Sequence, residues 1–207
     1  MSQATPPTVF VVDDDAAVRD SIAELVESVG LRCETHASAP AFLQAFDPER
    51  PGCLVLDVRM AEMSGLALQE RLNTLRARIP VIMLTGHGDV PMAVQALKAG
   101  AVDFLQKPYR EQALLDSIHA ALALDAAERR AHAGADAFAR RLATLTPRER
   151  EVFDQLLAGR TSKEIAATLD ISPRTAEVHR RSLLHKFGVG SAKELIPLSA
   201  SAGVLRT

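Results

Sequence analysis

Residues 10–19 read FVVDDDAAVR, an apolar strand-like run that ends in three consecutive carboxylates, Asp13, Asp14 and Asp15. Adjacent carboxylates repel one another, and burying one beside an apolar run is costly unless a cation or a hydrogen-bond donor compensates. The plain alternative is a solvated strand-to-helix loop in which an Asp caps the following helix. What the rest of the chain brings to the same place decides between them.

Working outward, residues 8–122 alternate short apolar runs with helical periodicity. The strand candidates are 9–12, 31–36, 53–56, 81–84 and 102–105. Between them Val18, Ile22, Leu25 and Val29 recur every three or four residues, as do Leu68, Leu72 and Leu75, and later Leu114, Ile118 and Leu122. Five strands alternating with five helices imply a doubly wound α/β fold, a five-stranded parallel sheet covered on both faces. Ligands bind such sheets beyond the carboxyl ends of the strands. Asp13 and Asp14 follow the first strand, Asp57 ends the third in CLVLDVRM, Thr85 follows the fourth in VIMLTGHGD, and Lys107 follows the fifth in VDFLQKPY. All five are expected at one edge of the sheet. Mg²⁺ takes oxygen ligands, commonly one or two carboxylates with several waters, and removes the repulsion of the DDD run. An Asp at the centre of such a cluster can attack phosphorus and form an acyl phosphate. The metal, an ammonium such as Lys107 and a hydroxyl such as Thr85 then neutralise the transferred charge.

The 207 residues suffice for two small domains, each with a core of its own. An apolar fraction of 47% and a charged fraction of 24% are ordinary for a globular chain. No window approaches the roughly 18 apolar residues of a membrane span, and MSQATPPTV lacks the pattern of a signal peptide, so a cytoplasmic protein is expected. Cys33 and Cys53 sit in no CxxC pattern, which favours incidental thiols. The lack of a His cluster argues against a metal hydrolase. The net charge of −2 hides an asymmetry: residues 1–125 carry 10 Lys/Arg against 17 Asp/Glu (−7), and residues 126–207 carry 14 against 9 (+5). One half suits cations and the other a polyanion.

From Asp125 the pattern becomes DAAERRAHAGADAFARRLATLT, with i,i+4 pairs Asp125–Arg129 and Asp136–Arg140 and a weak point at Gly134. A mostly helical linker is expected. Beyond it, Thr146-Pro147-Arg148-Glu149 combines an N-cap, a first-turn proline and a capping-box Glu; Thr161 to Glu164 and Ser191 to Glu194 repeat the spacing, and Ser172-Pro173 opens another helix. Four short helices without a strand pattern describe a small all-α domain.

Within it, TSKEIAATLDISPRTAEVHRRSLLHKF has the anatomy of two helices and a tight turn. Ile165, Ala166 and Leu169 line the inner face of the first; Ala176, Leu183 and Phe187 line that of the second. The opposite stripe of the second holds Arg174, Glu177, Val178, Arg181 and His185. Arg reads guanine edges, Glu accepts from cytosine N4, and Val contacts a thymine methyl. Lys163, Arg180 and Lys186, with the hydroxyls of Ser162 and Thr175, suit phosphate contacts. By charge alone, a solvated basic helix explains the stripe equally well.

Through VVDDD, LVLDVRM and MLTGHGDVPMAVQALKAGAVDFLQKPY, residues 8 to about 122 resemble the receiver domains of two-component response regulators, and TGHGDVPMAV with KAGAVDF and KP is similar to the FixJ branch. The resemblance implies a flavodoxin-like fold, with Asp57 as phosphoacceptor, Asp13 and Asp14 as the acidic Mg²⁺ pair, and the backbone carbonyl of Arg59 completing the metal's protein ligands. It further implies Thr85 as switch hydroxyl, Lys107 as the lysine facing the phosphoryl group, Phe104 as switch aromatic, and a cis Lys107–Pro108 bond. Asp15 is then an extra acid without a ligand role. One departure stands out: the family usually reads Met-Pro after the phosphoacceptor, whereas this chain has Met60-Ala61, which leaves the loop beside Asp57 less constrained.

The run LTPREREVFDQLLAGRTSKEIAATLDISPRTAEVHRRSLLHKFGV, within about residues 142–205, resembles the LuxR-type helix-turn-helix DNA-binding domain. The expected organisation is a receiver at 1–122, a largely helical linker at 123–141 and the LuxR-type domain at 142–207. The whole resembles a FixJ/NarL-type response regulator. That implies phosphorylation of Asp57 by a sensor histidine kinase, a homodimer when phosphorylated, binding to double-stranded promoter DNA, RNA polymerase as a further partner, and no membrane association. Its own chemistry is limited to gaining and losing a phosphoryl group. The rival reading is a phosphate sink or docking module whose helical domain binds a protein.

Overall fold

The computed structural model describes residues 5–86 and 90–203; residues 87–89, within the TGHGDVPMAV run, lie outside the described residues. The chain divides into two units, Met1–Ala127 and Glu128–Thr207. In the first, β1 (Thr8–Val12), α1 (Ala16–Ser28), β2 (Arg32–His36), α2 (Ala39–Ala45), β3 (Gly52–Asp57), α3 (Gly65–Thr74), β4 (Val81–Thr85), α4 (Val90–Lys98) and β5 (Asp103–Gln106) alternate, followed by α5 (Glu111–Ala143). The strands form one parallel sheet in the order β2-β1-β3-β4-β5. That order reverses direction between β1 and β3, which opens a crevice at their carboxyl ends.

The strands read as unbroken apolar runs because both of their faces are buried, and successive side chains divide between two cores. Phe10, Val12, Leu54, Leu56, Val81 and Met83 point to one face, where Phe42 of α2, Leu68 and Leu72 of α3 and Ala96 of α4 cover them. Val9, Val11, Cys53, Val55, Ile82 and Leu84 point to the other, against Ile22 and Val26 of α1 and Leu114, Ile118 and Ala121 of α5. Val9 pairs with Cys33 on one side and Cys53 on the other. The thiols are thus two strand spacings apart, roughly 9–10 Å, beyond disulfide reach. Both are free, and burial pushes Cys33 up to about 11 and Cys53 up to about 12.

Strand bounds lie within a residue or two of those expected, and α5 carries the main difference. The amphipathic segment around Leu114–Leu122 and the alanine-rich stretch after it form one helix of 33 residues that passes through Gly134. The division between the units falls inside it. Asp125, whose sequence pattern suggests an i,i+4 pair, is 2% exposed and accepts a hydrogen bond from the Gly52 N–H at 3.0 Å.

In the second unit, α6 (Pro147–Leu157), α7 (Ser162–Thr168), α8 (Pro173–Phe187) and α9 (Ala192–Ser201) follow α5. Thr146 and Thr161 form complete capping boxes with Glu149 and Glu164, and Ser172 caps α8. Ser191 departs from this pattern: its hydroxyl donates to Glu194 at 2.9 Å and caps no amide of α9. The core gathers Val152, Phe153, Leu156, Ile165, Ala176, Leu183, Phe187 and Leu195. Phe138, which falls within the expected linker, belongs to this core and lies 4.8 Å from Phe187 and 6.3 Å from Phe153 between ring centroids.

Phe138→Ala is expected to destabilise the second unit by about 3–5 kcal/mol, the range for deleting a buried aromatic ring. Urea unfolding followed by hydrogen exchange in α8 of the full chain checks this, with amides of β1 and β3 as the internal reference. A loss below about 1 kcal/mol would remove Phe138 from the core.

Candidate functional site

The carboxyl edge of the sheet gathers most of the expected residues. Asp13 follows β1, Asp57 ends β3, and Lys107 follows β5; Asp13 and Asp57 are 2% and 6% exposed. The Lys107 ammonium donates to Asp13 Oδ2 at 2.6 Å and to Asp57 Oδ1 at 2.7 Å. Each carboxylate uses its other oxygen locally: Asp13 Oδ1 accepts from the Asp15 N–H and Asp57 Oδ2 from the Arg59 N–H, at 2.9 and 2.7 Å. Asp14 is exposed and accepts from the Ala61 N–H at 3.2 Å. With Arg59 and Gly86, these acids and Lys107 line one cleft.

Burial pushes the Asp57 carboxyl above its ordinary value, and the Asp13 charge adds to this, while Lys107 and the Arg59 amide oppose it. Lys107 is held above its own usual value despite burial, because both carboxylates stabilise its charge. The ammonium is thus firmly protonated and shared between two acids.

The remaining receiver positions are arranged around this cluster. Thr85 ends β4, is fully buried, and its carbonyl accepts from the Lys107 N–H at 2.7 Å. It does not line the cleft; the following Gly86 does. Phe104 pairs with Met83 in β5 and is half-buried against the first core. The Lys107–Pro108 bond is cis. Asp15 caps α1 by accepting from the Ala17 N–H at 2.9 Å. The DDD run therefore answers to both explanations at once: one buried acid on a cation, one exposed acid on a loop amide and one helix cap.

The donor set suits Mg²⁺ in kind. It is all oxygen, and that ion is commonly held by one or two carboxylates while retaining its waters, without a protein cage. Among the described residues no three His, Cys, Asp or Glu side chains converge into such a cage.

In the second unit, α7 and α8 form the helix pair. Ala176, Leu183 and Phe187 are buried, whereas Lys163, Arg174, Thr175, Glu177, Val178 and Arg181 are exposed, Val178 by 60%. A large aliphatic side chain this open on a basic helix is available for a partner. Thr175 Oγ1 lies 2.8 Å from Ser172 Oγ, and Arg180 donates to Ser162 Oγ at 3.2 Å. Lys186 stands apart from the other expected contacts: its ammonium donates to Glu149 Oε2 at 2.6 Å and to the Thr144 carbonyl at 2.9 Å. Glu149 is legible from sequence only as a capping residue, a role it fills by accepting from the Thr146 N–H at 2.8 Å, yet it also accepts from Ser182 Oγ at 2.8 Å. Burial works against its charge, but Lys186 and these donors hold it down at about 2.

The sheet order, the carboxylate–lysine cleft and the separate helix pair together define a receiver domain joined to a helix-turn-helix domain. The response regulator receiver domain family matches residues 9–119, and the luxR family of bacterial regulatory proteins matches residues 143–199. The transcriptional regulatory protein FixJ of Azorhizobium caulinodans is 46% identical over 95% of this chain and 93% of its own length. The response regulator protein TodT of Pseudomonas putida is 44% identical over 91% of this chain and 83% of its own. Among solved structures, the response regulator StyR superposes with a TM-score of 0.84 at 45% identity, covering 94% of this chain and 98% of that one. Full-length FixJ from B. japonicum gives 0.59 at 41%, covering 98% and 100%. The chain belongs to the two-component response regulators that join a receiver to a LuxR-type DNA-binding domain, a family of phosphorylation-dependent transcription regulators. No helix among the described residues is long and apolar enough to cross a membrane.

The depressed value of Glu149 carries a pH consequence. The folded state binds its proton less tightly than the unfolded chain, so the stability it confers is complete above the ordinary carboxylate value of 4.5 and is lost as the pH falls towards about 2. Glu149→Gln is expected to cost about 3 kcal/mol near neutrality, as for breaking a buried ion pair. Its gap from wild type should close between about pH 4.5 and 2, read from urea midpoints of α8 exchange. A gap independent of pH would show that the carboxylate charge is not what matters.

Proposed function

We propose that Asp57 is the phosphoacceptor and that its phosphorylation by a sensor histidine kinase controls binding of the second unit to promoter DNA. The observation that carries this is the cleft itself: an Asp buried at the end of β3, held by an ammonium from β5 and a backbone amide from its own loop. Buried acids of this kind are costly and call for a task. In the transfer, a carboxylate oxygen of Asp57 forms a bond to phosphorus as the phosphorus–nitrogen bond of a phosphohistidine breaks, and the imidazole nitrogen keeps the electron pair. Lys107 is positioned to offset charge that develops at Asp57. Asp13, Asp14, Asp57 and the Arg59 carbonyl are the groups that would hold Mg²⁺, whose contribution is neutralisation of the phosphoryl charge. Thr85 and Phe104 are the switch pair of this reading, one behind the cleft and the other two residues beyond Val102 on β5's inner side.

For DNA, Arg174, Glu177, Val178 and Arg181 are the base-reading set, with Lys163 and Thr175 as phosphate contacts. Lys186 joins the phosphate contacts through the ammonium N–H that remains beside those given to Glu149 and the Thr144 carbonyl. The receiver is assigned to 1–122 and the DNA-binding domain to 142–207, with 123–141 linking them and contributing Phe138 to the core of the second unit. The protein works in the cytoplasm, as a homodimer when phosphorylated, with RNA polymerase as a further partner. Its chemistry is confined to its own phosphoryl group.

Two measurements test this. With Mg²⁺ and a small phosphodonor, wild type should gain one phosphoryl group by intact mass and Asp57→Ala none. At fixed salt, the donor should tighten selective binding to a pool of promoter fragments in wild type alone. Equal selection by both proteins would place control elsewhere, and no selection by either would favour a docking role. Arg181→Ala is expected to lose about 1–3 kcal/mol of discrimination at one base position, whereas Lys163→Ala should weaken all sequences alike and shallow the salt dependence by about one ion.

A further inference from the structure

The loop from Val58 to Ser64, between β3 and α3, is tied to the cleft through alternate amides. The Arg59 N–H donates to Asp57 and the Ala61 N–H donates to Asp14 Oδ2. The Ala61 carbonyl accepts from the Met63 N–H at 2.6 Å, so both sides of this short turn are engaged. Glu62, between them, adopts φ 62°, a left-handed conformation that is uncommon for a residue with a side chain. The loop closes where the Gly65 N–H donates to the Val58 carbonyl at 3.0 Å, and a Cβ on Gly65 would come within 2.2 Å of the Asp57 carbonyl oxygen. The segment is therefore anchored at both ends, and its middle is tied to the cleft by one hydrogen bond.

That bond falls on a particular acid. Lys107 takes Asp13 and Asp57, and Asp14 is the acid of the cleft that a loop amide holds instead. We propose that the Ala61 N–H is a latch on Asp14 that competes with a divalent cation for this carboxylate, so that cation binding releases the middle of the β3–α3 loop. The inference rests on the reading of the cleft as an Mg²⁺ site and goes beyond it, by assigning a positioning role to a residue without functional atoms in its side chain. Asp14 and Ala61 are both exposed, so water can replace either partner and the latch is weak enough to open. A proline, usual at this position in the family, has no N–H and could not make the bond.

The experiment uses the full chain and Mg²⁺ alone. Binding is read by isothermal titration calorimetry, with Tyr109, the only tyrosine in a chain without tryptophan, as a second signal. Ala61→Pro removes the N–H and is expected to bind Mg²⁺ about three- to tenfold more tightly, the gain from deleting one competing exposed hydrogen bond. Ala61→Ser keeps the N–H and should retain the wild-type affinity. In wild type, amide exchange at Ala61 should quicken as Mg²⁺ is added, with a midpoint equal to the dissociation constant from calorimetry. Saturable binding with unchanged Ala61 exchange would overturn the latch, as would equal affinities of wild type and Ala61→Pro, or an equal shift in both variants. If wild type shows no saturable Mg²⁺ binding, the metal-site reading itself fails and takes the latch with it.

Discussion

The Lys107 ammonium, lying between Asp13 and Asp57, is the interaction on which the carboxyl edge of the sheet depends. Two acids are almost fully buried there, and the cation between them offsets the cost of burying their charge. Lys107 supplies that charge from beyond β5, and its own N–H is fixed to the Thr85 carbonyl. One lysine thus links the ends of β1, β3, β4 and β5, the first two through its ammonium and β4 through its backbone N–H. A single cation serving two carboxylates also leaves the edge short of positive charge, which is the electrostatic condition for attracting another.

The architecture was legible for a simple reason. Strands buried on both faces must be apolar at every position, so runs such as 9–12 and 53–56 are conspicuous, and the rule that parallel sheets act at their carboxyl ends collects Asp13, Asp57, Thr85 and Lys107. What could not be read was the division of labour among these residues. Thr85 is behind the cleft wall, and nothing in VIMLTGHGD distinguishes a residue that lines a cleft from one buried beside it. The three acids of the DDD run have three different partners, because a backbone that turns from strand to helix aims successive side chains in different directions.

Long-range polar contacts were equally hidden. Asp125 reads as half of a helical charge pair, and its carboxylate also holds an amide 73 residues away, at the start of β3. Lys186 belongs by pattern to a basic stripe, yet a capping glutamate 37 residues earlier engages its ammonium. Local signals established that Glu149 would cap α6 but carried no information about Lys186, which shares the capping oxygen, or Ser182, which takes the other. The continuity of α5 has the same origin: Gly134 lowers helix propensity by about 1 kcal/mol relative to alanine, which packing of neighbouring residues such as Phe138 readily offsets.

These contacts bear on how a charge added at one edge of a sheet can be felt. A phosphoryl group on Asp57 would bring roughly two negative charges to a place where one ammonium already serves two carboxylates. Lys107 cannot strengthen its hold on Asp57 without weakening it on Asp13, whose other oxygen is committed to the Asp15 amide. On the proposed reading, the added charge would call for further donors at the cleft. The nearest hydroxyl in the sheet is Thr85, at the end of the strand beside β3 and fully buried. If Thr85 and Phe104 are the proposed switch pair, drawing the hydroxyl forward would leave space for Phe104, which is half-buried on the neighbouring strand. A rearrangement of this kind requires no added flexibility, only that two packings differ by less than the electrostatic energy the new charge brings, which is how a local charge selects between states of a packed domain.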